Sequence, residues 1–329
     1  MLPDLPAALR QAAEGLLDGV ARAQVSDRSA EISTGYRAGQ TSRHLIGDAD
    51  AARAYVLSRL PATYAANSHV LGEVLSRLPD FTPGGLLDAG AGPGGASWAA
   101  LQAWPDLSTV TQLDANRPFL DMARRLAGAG SPALSQARQI QADLCQPPTG
   151  WPASDLVMLS YALAELEAED QVKAIASLWS VCQGLLVIVE PGTPAGHQRI
   201  LAARTQLIGQ GAGVVAPCPH AEACGVVAPD WCHFVQRLPR ARSHRDAKRA
   251  ERAYEDEKFS YLVVARPRLL SEQAYRRIIG PSVTTKSETR LKLCTPQGVI
   301  TETVRRRDKA AYARVRRLNW GDVLPETLD

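Results

Sequence analysis

The sequence predicts an α/β protein: a parallel sheet with helices on both faces, preceded by a helical region and followed by a cysteine-rich insertion. In the first eighty residues, apolar side chains recur three or four positions apart, which is typical of helices. From residue 84 onward, short apolar runs that end in polar residues or glycine alternate with helical patterns. Three of the six cysteines fall within residues 218–232, which singles out that loop.

The predicted N-terminal helical region covers residues 1–80. Residues 6–23 and 48–60 have the helical spacing of apolar side chains, and Asp48 is suited to cap the second of these segments. Residues 64–81 continue the same pattern. We therefore expect the chain to enter its sheet only after several helices.

The predicted core covers residues 81–215. Its strands are expected at 84–90, 108–114, 138–143, 154–161 and 184–192. Helical patterns fall between them, for example at 117–128 and 169–182, so strand and helix alternate as they do in a parallel sheet.

Two further segments follow the predicted core. Residues 216–257 are predicted to form a cysteine-rich metal loop with a basic segment. Residues 258–329 are predicted to complete the core and the metal site. They are expected to form a strand at 258–266, a hairpin at 288–304 that turns at residues 296–298, and a basic helix at 307–318.

The positive charge is concentrated in two segments. The net charge is +3, yet residues 233–252 hold seven Lys and Arg against two acids, and residues 304–320 hold seven against one. Basic segments on an otherwise acidic chain indicate either a polyanionic partner or two solvated helix faces, and charge alone leaves both open.

The composition is that of a globular protein, with 45% apolar and 22% charged residues. The longest apolar runs, such as residues 185–189, are far shorter than the roughly 20 residues of a membrane span. The N-terminus lacks the basic-then-apolar order of a secretion signal. We therefore expect a protein that stays in the compartment where it is made, outside any membrane.

A glycine-rich loop follows the first predicted strand. The segment LLDAGAGPGG places Asp88, Gly90, Gly92 and Gly94 in alternate positions, where a helix begins. Glycines allow a tight turn and the close approach of a ligand, and the free amides of a helix start favour ligand oxygens. Such a loop by itself is weak evidence, because glycines also end strands.

Three more strand ends strengthen the case for a nucleotide-like ligand. Asp114 ends the second strand, where a carboxylate can accept both ribose hydroxyls, and Asp143 and Leu144 follow the third, where an acid and an amide can bind an adenine edge. Ser160 and Tyr161 end the fourth strand, at the edge where open α/β sheets bind ligands. This arrangement resembles the class I methyltransferases, with a Rossmann-like sheet that binds S-adenosylmethionine. NAD is the alternative ligand, and the DAGAGPGG form favours the methyl donor.

The sequence assigns no catalytic residue. After the fourth strand it reads LSYALAEL, without the Asn/Asp-Pro-Pro-aromatic signature common in methyltransferases that act on exocyclic base nitrogens. No cysteine that could attack a pyrimidine carbon ends the fourth or fifth strand. Glu190 ends the fifth strand, as a candidate base or as a strand cap.

The cysteine loop predicts a metal site. Disulfides are not expected in a chain without an export signal, whereas clustered thiolates bind metals. Cys218, Cys224 and Cys232 supply three ligands, and His220, His233 or Cys294 is the candidate for the fourth. A histidine would favour zinc, and four cysteines would allow zinc or an iron–sulfur cluster, because the spacing does not discriminate.

The segments RLPATYAA, LLDAGAGPGGASWAA, KFSYLVVAR and LCTPQG, together with the cysteine loop, closely resemble one family from about residue 40 to the end. It is the methyltransferase-like family of the small ribosomal subunit, which has mitochondrial and bacterial members. The resemblance implies that Cys218, Cys224, Cys232 and Cys294 hold a 4Fe–4S cluster, while Cys145 and Cys182 stay outside the set. It also implies binding to the small ribosomal subunit near its rRNA during assembly, with methyl transfer an open question.

Both basic segments then become candidates for phosphate contacts, which dominate affinity for nucleic acids. The predicted RNA-binding residues are Arg237, Arg240, Arg242, Arg245, Lys248, Arg249, Arg305, Arg306, Arg307, Arg316 and Arg317. We expect a monomer, in the cytoplasm for a bacterial chain and in the mitochondrial matrix for a eukaryotic one.

Three functions fit these expectations. The first is an rRNA methyltransferase that uses S-adenosylmethionine. The second is an assembly factor without catalysis, in which the cofactor and a cluster or zinc ion serve as structural ligands. The third is an iron–sulfur sensor that couples ribosome assembly to iron or oxygen supply.

Overall fold

The computed structural model describes residues 4–146, 149–270 and 275–325. The chain forms two compact units. The first comprises Met1–Val189 and Gln236–Glu257, and the second comprises Glu190–Val235 and Lys258–Asp329. Each unit is described separately below, and the four-part division of the sequence remains a prediction.

The helices of the described residues are α1 (Ala7–Glu14), α2 (Arg22–Arg37), α3 (Ser42–Leu45), α4 (Ala49–Ser58), α5 (Leu60–Arg77), α6 (Gly95–Ala103), α7 (Arg117–Ala127), α8 (Pro132–Ser135), α9 (Ala168–Val181), α10 (Pro194–Gly209), α11 (Arg242–Lys248) and α12 (Lys309–Val315).

The strands are β1 (Gly85–Ala89), β2 (Thr109–Asp114), β3 (Arg138–Gln141), β4 (Ser154–Ser160), β5 (Cys182–Pro191), β6 (Gly213–Ala216), β7 (Phe234–Pro239), β8 (Tyr254–Ala265), β9 (Tyr275–Ile278), β10 (Val283–Thr284), β11 (Glu288–Thr295), β12 (Gly298–Arg305) and β13 (Val323–Pro325).

The first unit contains the parallel sheet that the sequence predicts. Its strands run in the order β3, β2, β1, β4, β5, and every neighbouring pair is parallel. The chain order reverses between β1 and β4, and open α/β sheets bind ligands beside such a reversal, at the carboxyl ends of their strands. The predicted alternation of strands and helices is confirmed.

Local sequence signals explain where these helices begin. Asp48 caps α4, because its side chain accepts a hydrogen bond of 2.7 Å from the amide of Ala51. Asn116 caps α7 in the same way, with a bond of 3.1 Å from the amide of Phe119, and α7 buries an apolar face that includes Leu120 and Leu126. The Asn116 cap starts α7 directly after the end of β2.

The second unit contains a smaller sheet in the order β10, β11, β9, β13, with β12 paired to β11. The predicted hairpin is confirmed, since β11 and β12 are antiparallel and their last pair joins Thr295 to Gly298. One face packs on a core formed by Ile278, Leu291, Leu293, Val304, Val315 and Leu324. In the same unit, β6 pairs with β8 in antiparallel fashion, and the cysteine loop follows β6.

The first basic segment has more structure than the sequence indicates. It contains β7 and helix α11, and α11 packs against α2 in the first unit. The second basic segment includes the predicted basic helix, here the shorter α12. No helix in the described part of the chain is long and apolar enough to cross a membrane.

Candidate cofactor pocket and cysteine site

The glycine loop after β1 requires glycine at two positions. Gly90 has a φ of 68°, and an added Cβ atom would lie 2.6 Å from the Cβ of Ala162. Gly94 has a φ of 88° at the start of α6. Larger residues would be strained there, so the loop can keep its backbone open toward a ligand.

Asp88 lies beneath this loop, fully buried. Its Oδ2 atom accepts hydrogen bonds from the amide and the hydroxyl of Ser97, at 2.9 and 2.6 Å, and so anchors the first turn of α6. Of the predicted cofactor residues, Asp88 and Gly94 do not line the cavity described below. Their position indicates that they shape the loop that a ligand would contact.

Asp88 provides a prediction on the pH dependence of stability. Burial raises the pKa of its carboxyl to about 6, although the hydrogen bonds from Ser97 oppose this shift. Among the described residues, the Oδ1 atom of Asp88 has no hydrogen-bond partner. A carboxyl whose pKa is raised by folding favours the folded state most below its unfolded pKa, near 4. That contribution is lost as the pH rises from about 4 through about 6. The loss in unfolding free energy totals roughly 3 kcal/mol, because each tenfold change in proton affinity corresponds to about 1.4 kcal/mol.

The Asp88→Asn variant should lack this loss. In chemical unfolding between about pH 4 and 7, the difference in unfolding free energy between variant and wild type should move in favour of the variant as the pH rises. A constant offset from the amide group is expected as well, so the test is the slope of this difference. A difference that does not change with pH would contradict the buried, proton-binding carboxyl.

The main cavity of the first unit has a volume of about 630 Å³ and lies at the carboxyl ends of the parallel strands. Its size is in the range of pockets for small molecules and cofactors. Seven predicted cofactor residues line it: Gly90, Gly92, Asp114, Asp143, Leu144, Ser160 and Tyr161.

Asp114 occupies the centre of this arrangement and is 8% exposed. Its two carboxylate oxygens accept bonds of 2.7 Å from the amides of Gly92 and Asn116. Burial raises the pKa of the Asp114 carboxyl, and the two amides oppose that shift. The side chain therefore ties the glycine loop to the end of β2.

The cavity also has walls that the sequence did not reveal. Tyr36 on α2 and Tyr55 on α4 line it, with ring centroids 6.4 Å apart, and Tyr55 packs against Phe119 at 4.8 Å. Aromatic side chains at helical spacing usually indicate a core, so nothing in the sequence marked these two as part of a pocket. Flat rings at such a site are suited to stack on a heterocycle.

Residues 41–46 border the same cavity and are held by polar contacts. Ser42 donates a hydrogen bond of 2.6 Å to Glu165, and Arg43 pairs with Asp143 at 2.5 Å. The side-chain amide of Asn116 donates to the backbone oxygen of Ile46 at 2.9 Å. The amide of Cys145 and the Arg43 guanidinium together hold the pKa of the Asp143 carboxyl below its usual range.

Tyr161 is held in an unusual conformation. Its φ of 57° is left-handed, which costs a residue other than glycine on the order of 1–3 kcal/mol. Its hydroxyl donates to Glu257 at 2.9 Å, and Arg59 lies 3.5 Å from the same carboxylate. These contacts fix the ring at the end of β4, where it borders the cavity.

Glu190, the candidate base at the end of β5, belongs to the second unit and is fully buried. It forms an ion pair with Arg199 at 2.6 Å. It does not line the cavity of the first unit. This contact favours a structural role for Glu190.

In the second unit, all four predicted cysteine ligands line one cavity: Cys218, Cys224, Cys232 and Cys294. Cys294 comes from β11, whereas the other three come from the loop that follows β6. The remaining two cysteines lie elsewhere, since Cys145 lines the cavity of the first unit and Cys182 begins β5. The structure therefore brings together the cysteines that the family resemblance implies.

The two histidines that competed with Cys294 as the fourth ligand have different surroundings. The Nε2 atom of His220 lies 3.7 Å from the sulfur of Cys294, so this ring contacts the site. His233 stacks on Trp231 with a centroid distance of 5.0 Å and does not line the cysteine cavity. The geometry favours Cys294 over His233, with His220 as its neighbour.

The cysteine cavity is mostly apolar, with walls that include Ile200, Leu262 and Ile279. Burial raises the pKa of the Cys218 and Cys232 thiols and raises the pKa of the Cys294 thiol to about 12. The neighbouring cysteines raise the pKa of Cys232 further. Among the described residues, no group of three or more His, Cys, Asp or Glu side chains is arranged to hold a single metal ion.

The two basic segments differ in how their charges are used. In the first, most of the predicted RNA-binding residues pair with carboxylates: Arg237 with Asp256, Arg240 and Lys248 with Glu255, Arg242 with Asp246, and Arg249 with Asp27. In the second, the predicted residues Arg305, Arg306, Arg307, Arg316 and Arg317 are exposed and form no ion pair within the described residues. The second segment therefore has the larger unneutralised charge.

Two mitochondrial proteins are similar to this chain in sequence. Ribosome assembly protein METTL17, mitochondrial, from Homo sapiens is 29% identical over 289 residues, which cover 82% of this chain and 62% of that protein. Rsm22-cox11 tandem protein 2, mitochondrial, from Schizosaccharomyces pombe is 27% identical, covering 83% of this chain and 43% of that protein. The chain thus spans less than two thirds of the length of either relative.

Among solved structures, magnesium protoporphyrin IX methyltransferase from Synechocystis with bound SAM is similar with a TM-score of 0.42 and 17% identity, over 62% of this chain and 80% of that one. The N-methyltransferase NodS from Bradyrhizobium japonicum has a TM-score of 0.41 and 14% identity, over 62% and 88%. The family model described as mitochondrial small ribosomal subunit Rsm22 matches residues 49–325. The predicted family is confirmed: the chain belongs to the Rsm22 family of the mitochondrial small ribosomal subunit.

Proposed function

We propose that this protein is an assembly factor of the small ribosomal subunit that contacts rRNA, binds S-adenosylmethionine and holds an iron–sulfur cluster. The observation that carries the proposal is the family match over residues 49–325. One relative is named as a mitochondrial ribosome assembly protein, in accord with such a role.

The cofactor is proposed from the first unit. The cavity lies beside the reversal between β1 and β4, and its lining includes the glycine loop and the carboxylates of Asp114 and Asp143. Asp114 would orient the ribose and Asp143 the adenine, while Tyr36 and Tyr55 offer flat surfaces. S-adenosylmethionine supplies an activated methyl group when bound.

The metal centre is proposed from the second unit. Four thiols share one mostly apolar cavity, and such a donor set fits a 4Fe–4S cluster. Cys218, Cys224, Cys232 and Cys294 would hold it, and it would link β11 to the loop after β6. Zinc is the other metal that four cysteines can bind, and it is disfavoured because no group of three or more described His, Cys, Asp or Glu side chains is arranged to hold one metal ion.

The second basic segment is the main candidate for contact with rRNA. Exposed arginines without internal partners can neutralise phosphates without first breaking an ion pair. Arg305, Arg306 and Arg307 lie in succession where β12 ends, ahead of α12. The paired arginines of the first segment would have to release carboxylates to do the same.

Binding of a small-subunit rRNA transcript at several salt concentrations tests this proposal. Between about 50 and about 200 mM salt the wild-type affinity should fall steeply, because each phosphate contact adds roughly 0.7–0.9 to the slope of log affinity against log salt. Replacing Arg305, Arg306 and Arg307 by glutamine should lower that slope by about 2 to 3.

A matched control replaces three exposed arginines outside both segments, Arg124, Arg125 and Arg138, by glutamine. This control should keep the wild-type slope. An affinity that is flat with salt, or the same loss in both triple variants, would contradict an rRNA contact through residues 305–307.

An rRNA methyltransferase is the second candidate function, because the same cavity would present the methyl donor. The residues that line it are suited to bind and orient a cofactor, and the sequence assigns no catalytic role to the acids and the thiol among them, such as Glu165 and Cys145. Burial raises the pKa of the Tyr161 phenol, which disfavours its ionised form. We therefore rank assembly without catalysis first, and methyl incorporation by the wild type and by Asp114→Asn separates the two.

A further inference from the structure

Helix α10 carries an arginine into the wall of the cysteine cavity. Arg204 is 4% exposed and lines the cavity with the four cysteines. Its Nη2 atom donates to the backbone oxygens of His220 and Glu222, both at 2.7 Å. These two residues lie between Cys218 and Cys224, so the guanidinium holds the part of the loop that separates two proposed ligands.

The charge of Arg204 has no carboxylate to balance it within the described residues. Its Nε atom is buried and finds no hydrogen-bond acceptor in the part of the chain that the structure describes. Taking a cation out of water is costly unless an anion or a set of acceptors compensates it. Two carbonyl oxygens satisfy part of this guanidinium, and one buried N–H group is left over.

Four thiols share the wall of this cavity with the guanidinium, namely those of Cys218, Cys224, Cys232 and Cys294. A cavity that collects negative charge on sulfur would therefore supply the compensation that Arg204 lacks.

A second buried arginine reaches the same loop from the smaller sheet. Arg277 is fully buried and is the cross-strand neighbour of Cys294, one on β9 and the other on β11. Its Nε atom donates to the backbone oxygen of Pro217 at 2.8 Å, next to Cys218. Two guanidinium groups thus contact the backbone around the cysteines.

We propose that Arg204 is a positioning residue that compensates the negative charge of a metal–thiolate centre in the cysteine cavity. This inference rests on the cluster of the proposed function. Four thiolates with a 4Fe–4S core carry a net negative charge, and one-electron reduction adds another. A buried guanidinium beside the site stabilises the reduced state more than the oxidised one, because the attraction grows with the charge.

The test compares three variants of the full chain after anaerobic reconstitution with iron and sulfide. Arg204→Gln removes the charge, Arg204→Lys keeps it, and Arg290→Gln makes the same charge change at an arginine of the second unit that is 59% exposed. The measurements are iron and sulfide content, the midpoint potential from a visible or EPR redox titration, and the rate of cluster loss to a chelator.

We expect Arg204→Gln to shift the midpoint potential to more negative values and to lose its cluster about tenfold faster, as is typical when a group that supports metal ligands is removed. Arg204→Lys should stay closer to the wild-type potential, and Arg290→Gln should match it. A purely structural role for Arg204 would change cluster retention without moving the potential of the clusters that remain.

The outcomes separate this inference from the proposed function. Wild-type protein that takes up no iron and sulfide would overturn the cluster and, with it, the inference. A wild-type cluster with an unchanged potential in Arg204→Gln would overturn the inference alone. Loss of the cluster in both Arg204 variants would assign Arg204 to the loop contacts and likewise exclude a charge effect.

Discussion

The Cys294→Ser variant is expected to lose the metal centre almost completely. Cys294 is the one proposed ligand that does not come from the loop, and it joins β11 to the cavity that the other three cysteines line. A serine hydroxyl in its place is a much poorer ligand than a thiolate, so the site would keep three ligands. Iron and sulfide per chain, measured after anaerobic reconstitution together with the visible spectrum, should fall close to background.

Metal binding should also contribute to the stability of the second unit. The loop between β6 and β7, which lies wholly within the described residues, forms no helix or strand of its own, and metal binding supplies folding free energy to such segments. A chelator should therefore lower the melting temperature of the wild type and leave that of Cys294→Ser unchanged.

Cys145→Ser is the matched control, because Cys145 lies in the first unit and outside the cysteine cavity. It should retain wild-type iron content and the wild-type response to the chelator. Full iron content in Cys294→Ser would refute the four-cysteine site. Binding of Cys294→Ser to the small ribosomal subunit tests the sensor hypothesis. A sensor predicts that loss of the cluster weakens this binding.

The parallel sheet was predictable because its signals are local. The strands β1, β4 and β5 are apolar runs. Glycine or acidic residues follow or end the first three strands, such as Gly90, Asp114 and Asp143. The carboxyl ends of parallel strands meet at one edge, so positions along the chain translate directly into neighbours in space.

The rest of the cavity depends on tertiary contacts that leave no local signal. Tyr36 and Tyr55 have the helical spacing of core residues, and only the packing of α2 and α4 turns their rings toward the strand ends. Asp88 shows the reverse case. Its place in the glycine motif predicted a contact with the cofactor, whereas its side chain bonds to Ser97 beneath the loop. Sequence spacing located the motif but not the direction of each side chain.

Charge counts were also an incomplete guide. Residues 233–252 are as rich in arginine and lysine as the second basic segment, yet their partners include Asp27 and Glu255. Asp27 is more than two hundred positions from Arg249, so no window of sequence reveals this neutralisation. For that reason the structure shifts the proposed rRNA contact toward residues 305–317.

The Asp114→Asn variant should bind S-adenosylmethionine about 10- to 100-fold more weakly than the wild type. Both carboxylate oxygens of Asp114 accept backbone amides, from Gly92 and Asn116, and a ligand ribose would use the same group. Asparagine offers one oxygen in place of two and carries no charge. Hydrogen bonds to charged groups contribute about 1.5–3 kcal/mol, which corresponds to the expected loss in a calorimetric titration.

Asp121→Asn is the control, because Asp121 is an exposed carboxylate on α7 that pairs with Arg117. It should bind the cofactor like the wild type. Equal affinity in wild type and Asp114→Asn would mean that the glycine loop and Asp114 do not form the cofactor site.

The same pair of variants separates the two candidate functions when methyl incorporation into immature small subunits is measured beside subunit association. An assembly factor without catalysis predicts no methyl incorporation even by wild-type protein that demonstrably binds the cofactor. An enzyme predicts incorporation that Asp114→Asn loses and Asp121→Asn keeps, with association unchanged in both. Asp114 lies in the first unit and residues 305–317 in the second, so the Asp114→Asn substitution leaves every arginine of the proposed rRNA contact unchanged.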